Sequence, residues 1–391
     1  MSATKRCVVA ALVVFASACT SSEGEQATTP TTAPSDQYAA VTQVLQIDLG
    51  QLPNYASPTW PAHYDALVRG QDNATANNPV TDRGATLGRV LFHDRKLSIN
   101  GTVSCASCHK QGEGFTDSAK LSVGFSGGTT ATHSMRLANA RFYAPGTAFW
   151  DRRALSLEAQ ATEPIKNAVE MGFDSAHGGI DSLLDRMRTL PYYPVLFAFT
   201  FGDSSITEAR IQRALAQYVR SLVSVNARFD QGFAAVFNAQ LPDRGVTTPF
   251  ANYTAQENRG KQLFFLPPPQ GGAGCGGCHT APTLALVGNS LSNGLDAGET
   301  TIFKSPSLKN VAAAGSYMHD GRFATLAQVV QHYVRGVQDG PALDQRLRGP
   351  NGGPQRLQLS AADQAALVAF LQTLTDSGLA ADVRFGDPFR K

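Results

Sequence analysis

The sequence predicts a mostly α, loop-rich chain made of two related halves that arose by internal duplication, and three observations predict it. A Cys-x-x-Cys-His cluster occurs twice, as CASCH at 105–109 and CGGCH at 275–279, with Cys275 lying 170 positions after Cys105. Each cluster follows a similar apolar segment, GRVLFHD from Gly88 and GKQLFFL from Gly260. Helical periodicity recurs along the chain, whereas no stretch alternates apolar and polar residues as a half-buried strand would. The 36 Gly and 21 Pro supply the turns between elements.

The chain opens with Lys5 and Arg6 ahead of the apolar run VVAALVVFASA, too short to span a bilayer as a mature helix and typical of an export signal. The run ends in Ala16-Ser17-Ala18-Cys19, similar to a bacterial lipobox with Ala16 where Leu is usual. Residues 1–19 therefore read as a lipoprotein signal peptide with Cys19 acylated in the mature protein; plain cleavage near Ala18 is the alternative. In both cases the protein is exported, and one acyl chain holds it at a membrane surface rather than across it. Residues 20–40 read as a disordered tether, because TSSEGEQATTPTTAPSD is polar and rich in Thr, Ser and Pro.

The first half spans 41–245 and the second 246–391, with the boundary in the 240–250 region. Residues 206–222 place Ile211, Leu215, Tyr218, Val219 and Leu222 on one helical face. Thr254-Ala-Gln-Glu257 is a capping-box start for the helix that carries GKQLFFL. Residues 361–374 align Leu367, Phe370, Leu371 and Leu374, after Ser360 and Asp363 in capping positions. A hydrophobic content of 42% supports an ordinary core. A net charge of +2, with acids and bases interspersed, excludes the basic stripe of a nucleic-acid binder.

Of six cysteines, Cys7 leaves with the signal peptide and Cys19 is the lipid site, so Cys105, Cys108, Cys275 and Cys278 remain. A disulfide framework suits an exported protein but does not explain the histidine after each pair. A four-cysteine zinc site leaves both histidines idle. A redox dithiol belongs in a βαβ context, which is missing. Covalent c-type haem uses every residue: two thiols add to the vinyl groups and the adjacent imidazole binds iron. The sequence thus predicts two covalently bound haem c groups, one on Cys105, Cys108 and His109, the other on Cys275, Cys278 and His279. Met318, in SPSLKNVAAAGSYMHDGRF, is the only methionine after the second cluster and a candidate sixth ligand to its iron; His319 competes for that place. A thioether ligand raises the potential of a haem and suits electron transfer.

From about Gly84 to Arg384 the chain resembles the bacterial di-haem cytochrome c peroxidase and MauG family, through LGRVLFHDRKLSINGTVSCASCH, FWDRRALSLEAQATEPIKNAVEMG and SPSLKNVAAAGSYMHDGRFATL. The resemblance implies that the N-terminal haem reacts with peroxide and the C-terminal haem receives electrons. It implies further that Trp150 lies between the haems and that Gln160, Pro164 and Glu170 form the distal pocket. A carboxylate there can carry the proton from the inner to the outer peroxide oxygen, which makes Glu170 the candidate acid–base, ahead of Glu158 and Glu163. Gln160 can orient peroxide, Trp150 can relay electrons, and Pro164 can shape the pocket.

Three positions compare unevenly with the family. Phe125 stands where many members have a histidine that binds the N-terminal iron and leaves on activation. His133, the only histidine on that loop, stands where the family has an Asn that helps hold an inter-haem Ca2+, so the implied calcium lacks one usual ligand. His133 is either a replacement iron ligand or a satisfied pocket histidine. Met318 stands where MauG has tyrosine, which favours the ordinary peroxidase. The expected activity is reduction of hydrogen peroxide with electrons from a small periplasmic donor, a cytochrome c or cupredoxin. MauG-like oxidation of a partner's Trp or Tyr, or pure electron carriage, are the alternatives. The resemblance also implies a homodimer.

Overall fold

A computed structural model describes residues 37–143, 146–286 and 288–391. The signal peptide, Cys19 and the tether up to residue 36 lie outside the described residues. Ala39–Thr42 form a helical turn, and the Tyr38 ring meets Phe199 edge-on at 5.8 Å.

Seven helices position the site. They are α1 (Asp82–His93), α2 (Cys105–Cys108), α3 (Leu157–Ala161), α4 (Glu163–Lys166), α5 (Glu208–Ser221), α6 (Ala255–Phe265) and α7 (Ala361–Gln372). The helix predicted over 206–222 starts one residue after its cap, Thr207, and that over 361–374 after Ser360. The predicted box closes in both directions: Glu257 N–H donates to Thr254 Oγ1 (3.2 Å) and Thr254 N–H to Glu257 Oε2 (2.7 Å).

The most extensive pairings are α1 with α5 and α6 with α7. The two similar apolar segments make them in the same way. A Cβ on Gly88 would overlap the Ala214 carbonyl, and one on Gly260 would overlap the Ala366 carbonyl. Glycine is needed because these backbones lie almost in contact.

One core joins Leu87, Leu91 and Phe92 of α1 to Ile211, Leu215 and Tyr218 of α5, and the chain end returns Leu379 and Phe385 to it. A second joins Leu263 and Phe264 of α6 to Leu367, Phe370 and Leu371 of α7, with Phe229, Phe233 and Phe250 from the preceding segment. Beside the second core, Asp230 (1% exposed) bonds the Lys309 ammonium and lies 3.3 Å from His63 Nε2.

Among the described residues β structure is limited to isolated bridges. Two of them, Lys110–Thr116 and Thr280–Ala285, close short loops just after the two Cys-x-x-Cys-His clusters. No helix among the described residues is long and apolar enough to cross a membrane.

Candidate functional site

The two clusters present their side chains alike. In α2, Ser104 N–H donates to Ser107 Oγ (3.0 Å) and starts the turn that puts Cys105 and Cys108, three residues apart, on one side. His109 follows, with Nδ1 at 3.1 Å from the Phe115 carbonyl. In the second cluster, Cys275–Gly277 form a 3-10 turn, and His279 Nδ1 lies 3.2 Å from the Leu284 carbonyl. In both, Nδ1–H donates to the carbonyl, which leaves Nε2 as the free lone pair. Burial lowers both pKa values, that of His279 to about 4, so each imidazole is neutral and able to bind iron at neutral pH.

The other fates of the cysteines fail on chemistry. All four are free of disulfides. Burial pushes Cys105 and Cys275 up to about 12 and Cys278 to about 11, the reverse of what a redox dithiol needs. Among the described residues no group of three or more His, Cys, Asp or Glu is placed to hold a metal ion, so the two pairs do not form a zinc site.

A cavity of about 1600 Å³, counting the space open to solvent, is lined by Cys275, Cys278, His279 and Met318, and reaches His133 and Trp150. Met318 sits in left-handed backbone (φ 73°) at the tip of a turn closed by Tyr317 N–H to Phe323 O (3.0 Å). Its sulfur accepts from Asn293 Nδ2 at 3.4 Å, so this methionine faces the cavity and is not core filler. His319 beside it is stacked on Phe303, centroids 4.0 Å apart. A haem tethered at Cys275 and Cys278 fits a cavity that offers His279 Nε2 and the Met318 thioether.

A matching turn occurs earlier in the chain. Ala148 N–H donates to Ala154 O (2.8 Å), and Phe149 (φ 67°) and Arg152 (φ 60°) hold the left-handed places that Met318 and Gly321 (φ 67°) hold in the later turn. Phe149, which has no ligand atom, thus takes the position of Met318, with the Arg153 guanidinium 3.6 Å over its ring. Reciprocal bonds join the two turns to the segments leading from the clusters: Lys304 N–H to Trp150 O and His133 N–H to His319 O, both 2.8 Å. Trp150 Nε1–H donates to His133 O, also at 2.8 Å.

His133 is a satisfied pocket histidine. It is 4% exposed, with Nε2 3.2 Å from Thr116 Oγ1 and Nδ1 3.2 Å from the Lys120 carbonyl. Neither nitrogen is free for iron.

Glu170 lies near the first cluster, where its charge acts on both Cys105 and Cys108. Desolvation raises its pKa, with Arg153 opposing. No protein donor bonds its carboxylate among the described residues, whereas its backbone is fixed: Asn167 Oδ1 accepts from Glu170 N–H (3.1 Å), and Glu170 O accepts from Phe125 N–H (3.0 Å). Phe125 is therefore beside Glu170, its ring occupying the space a Cβ on Gly172 would need. Gln160, near the end of α3, is half-buried with its amide unbonded among the described residues, and Pro164 lies in the first turn of α4. Glu158 is removed as an acid–base candidate. Against the desolvation of burial, Arg220 and Asn78 hold it below the usual carboxylate range. Glu163 is paired with Lys166 at 2.8 Å. Sequence reasoning missed Asn167, Phe149 and two cations that face the cavity, Arg136 and Lys304. The AFWDRRA and YMHDGRF turns carried the only signal, through their shared aspartate and arginine.

Comparison with known proteins shows the family of the chain. Residues 82–235 match the family described as di-haem cytochrome c peroxidase. The chain is 34% identical over 313 residues to the methylamine utilization protein MauG of Methylorubrum extorquens, covering 76% of this chain and 79% of that one. It is 31% identical over 271 residues to cytochrome c551 peroxidase of Nitrosomonas europaea, covering 63% and 71%. The crystal structure of a MauG-like protein associated with microbial copper homeostasis superposes with a TM-score of 0.67 at 30% identity, over 86% of this chain and 98% of that one. At such identity and coverage the chain belongs to the di-haem cytochrome c peroxidase family, and it is a haem-dependent peroxidase of that kind.

Proposed function

We propose that the protein reduces hydrogen peroxide to water in the periplasm, with electrons from a small redox protein, a cytochrome c or a cupredoxin. The observation that carries this reading is the inequality of two matched turns: Met318 lines the same cavity as His279, and Phe149 stands in the corresponding place of the first turn. One centre is then closed by a thioether for electron transfer, and the other has a face free for peroxide.

Cys105, Cys108 and His109 hold one haem; Cys275, Cys278, His279 and Met318 hold the other. Bound haem supplies the iron and the redox capacity for cleaving the O–O bond. The remaining work falls to the chain. The Glu170 carboxylate takes the proton from the inner peroxide oxygen and returns it to the outer one, a role suited by its raised pKa and its freedom from protein donors. The Gln160 amide orients peroxide, and Pro164 bounds the pocket. Trp150 relays electrons between the two centres.

Two haem-binding halves related by duplication, 41–245 and 246–391, belong to this proposal, supported by the repeated glycine packing, the matched turns and the reciprocal bonds. Export, a lipid anchor at Cys19 and a homodimer complete it. Calcium has weaker support, because the His133 ring is engaged by Thr116 and Lys120.

The test is peroxide consumption with reduced cytochrome c or cupredoxin, beside optical and EPR spectra of the as-isolated and half-reduced protein. Two six-coordinate haems and no reaction with peroxide would reduce the protein to an electron carrier. The 34% identity to MauG favours a second reading, oxidation of a partner protein's Trp or Tyr. Absence of turnover with any reduced donor, together with a modified partner, would select it.

A further inference from the structure

Two cations in the cavity around His279 lack the partners that other buried cations of this protein have. Arg220 is paired with Glu158, Lys309 with Asp230, and Lys261 bonds the Val246 and Thr248 carbonyls. Arg136, by contrast, buries Nε and Nη2 with no acceptor for either among the described residues. Lys304, 7% exposed, has one long bond to the Thr147 carbonyl (3.3 Å) and lies 4.0 Å over the Tyr143 ring. Neither forms an ion pair among the described residues, and burial lowers the pKa of Arg136 to about 10 and that of Lys304 to about 7. Two buried guanidinium N–H groups without an acceptor are disfavoured, so the fold holds them for an anion that the described residues do not supply.

We propose that Arg136 and Lys304 bind the carboxylates of the haem held by Cys275, Cys278 and His279. This rests on the two-haem reading above. Both side chains line the same cavity as those three residues and Met318. The two carboxylates are the charged side groups of a haem, and a planar guanidinium fork matches a carboxylate as a bidentate donor. Arg136 lies three residues after His133, whose N–H is tied to the His319 carbonyl, so the segment from the first cluster supplies a cation to the second haem. The Lys304 backbone N–H donates to the Trp150 carbonyl, which fixes the main chain from which its side chain extends.

A carboxylate near iron stabilises the ferric state, and a paired cation offsets that effect. The test uses the full-length holoprotein and its Arg136→Met, Arg136→Lys and Lys304→Met variants. Intact mass gives the number of haems, and redox titration across pH follows the His279 centre. Arg136→Met should retain two haems, titrate at a lower potential and gain pH dependence, because the unpaired carboxylate takes up a proton on reduction. Arg136→Lys should restore much of the wild-type potential. If Arg136→Met does not fold, Lys304→Met is expected to shift in the same direction. Two haems with an unmoved potential in Arg136→Met, or in Lys304→Met where that variant stands in, would overturn the inference alone. A wild-type potential that follows added inorganic phosphate would also overturn it, since the cations would then serve a free anion. A wild-type mass short of the second haem would overturn the two-haem reading, and this inference with it.

Discussion

The indole Nε1–H of Trp150 donates to the carbonyl of His133 at 2.8 Å, and the N–H of His133 donates at the same distance to the carbonyl of His319, the residue after Met318. Two hydrogen bonds and the backbone of one residue, His133, thus connect the indole to the chain of the candidate iron ligand. A carbonyl accepts a hydrogen bond but is not a base, so in the relay proposed above the indole would keep its proton.

Trp150→Phe keeps an aromatic ring in place and removes both the N–H and the readily oxidised indole. Steady-state turnover with a reduced donor should fall while the spectra of the as-isolated protein stay unchanged. Undiminished turnover would rule out the relay.

Glu170→Gln should lower kcat/KM for peroxide by about 10²–10⁴, the range lost with a positioned proton-transfer group. The pH profile gives a second reading. Burial raises the Glu170 pKa from its ordinary 4.5, and the basic form exists only above the raised value. Activity should therefore decline as pH falls through that value, starting above the range of an exposed carboxylate. The acid limb should be absent in the Gln variant.

Met318→Ala should convert the His279 centre from low to high spin and lower its potential, because a neutral thioether raises it. His319→Ala should change neither if the Met318 sulfur is the ligand. EPR and redox titration of the two variants check this.

Asp230→Asn leaves the Lys309 ammonium, 0% exposed, without its counter-charge. The expected loss is about 3–5 kcal/mol of folding stability, measured by denaturant unfolding. Gly88→Ala and Gly260→Ala test the helix approach: each adds a methyl where a carbonyl already stands, at a cost of about 1–3 kcal/mol. A Tm equal to that of the wild type would mean the helices can separate freely.

Local signals in the sequence were legible. The Thr254–Glu257 box, the cap at Ser360 and the apolar faces of α5 and α7 depend on neighbours within one or two turns, and each formed where expected. Cys105, Cys108 and His109 are adjacent in sequence, so their joint chemistry could be read directly. The state of His133 could not: it depends on Thr116 and Lys120, on loops whose path no spacing rule determines. Arg136 and Lys304 read as ordinary surface cations until the fold closes over them. Glu158 and Glu170 lie twelve positions apart with similar surroundings on paper, and the pairing with Arg220 separates a bonded carboxylate from one with a raised pKa.

The reciprocal bonds, Lys304 to Trp150 and His133 to His319, use only main-chain atoms. Such a seam is blind to the identity of the side chains it joins. Mutation can rewrite all four of them without loosening the join. If the two halves arose by duplication as proposed, one could place a tryptophan where the other keeps a histidine, and a lysine where the other keeps a histidine, without losing these bonds. The division of labour proposed for the two centres could then accumulate one side chain at a time, on a frame held by main-chain atoms alone.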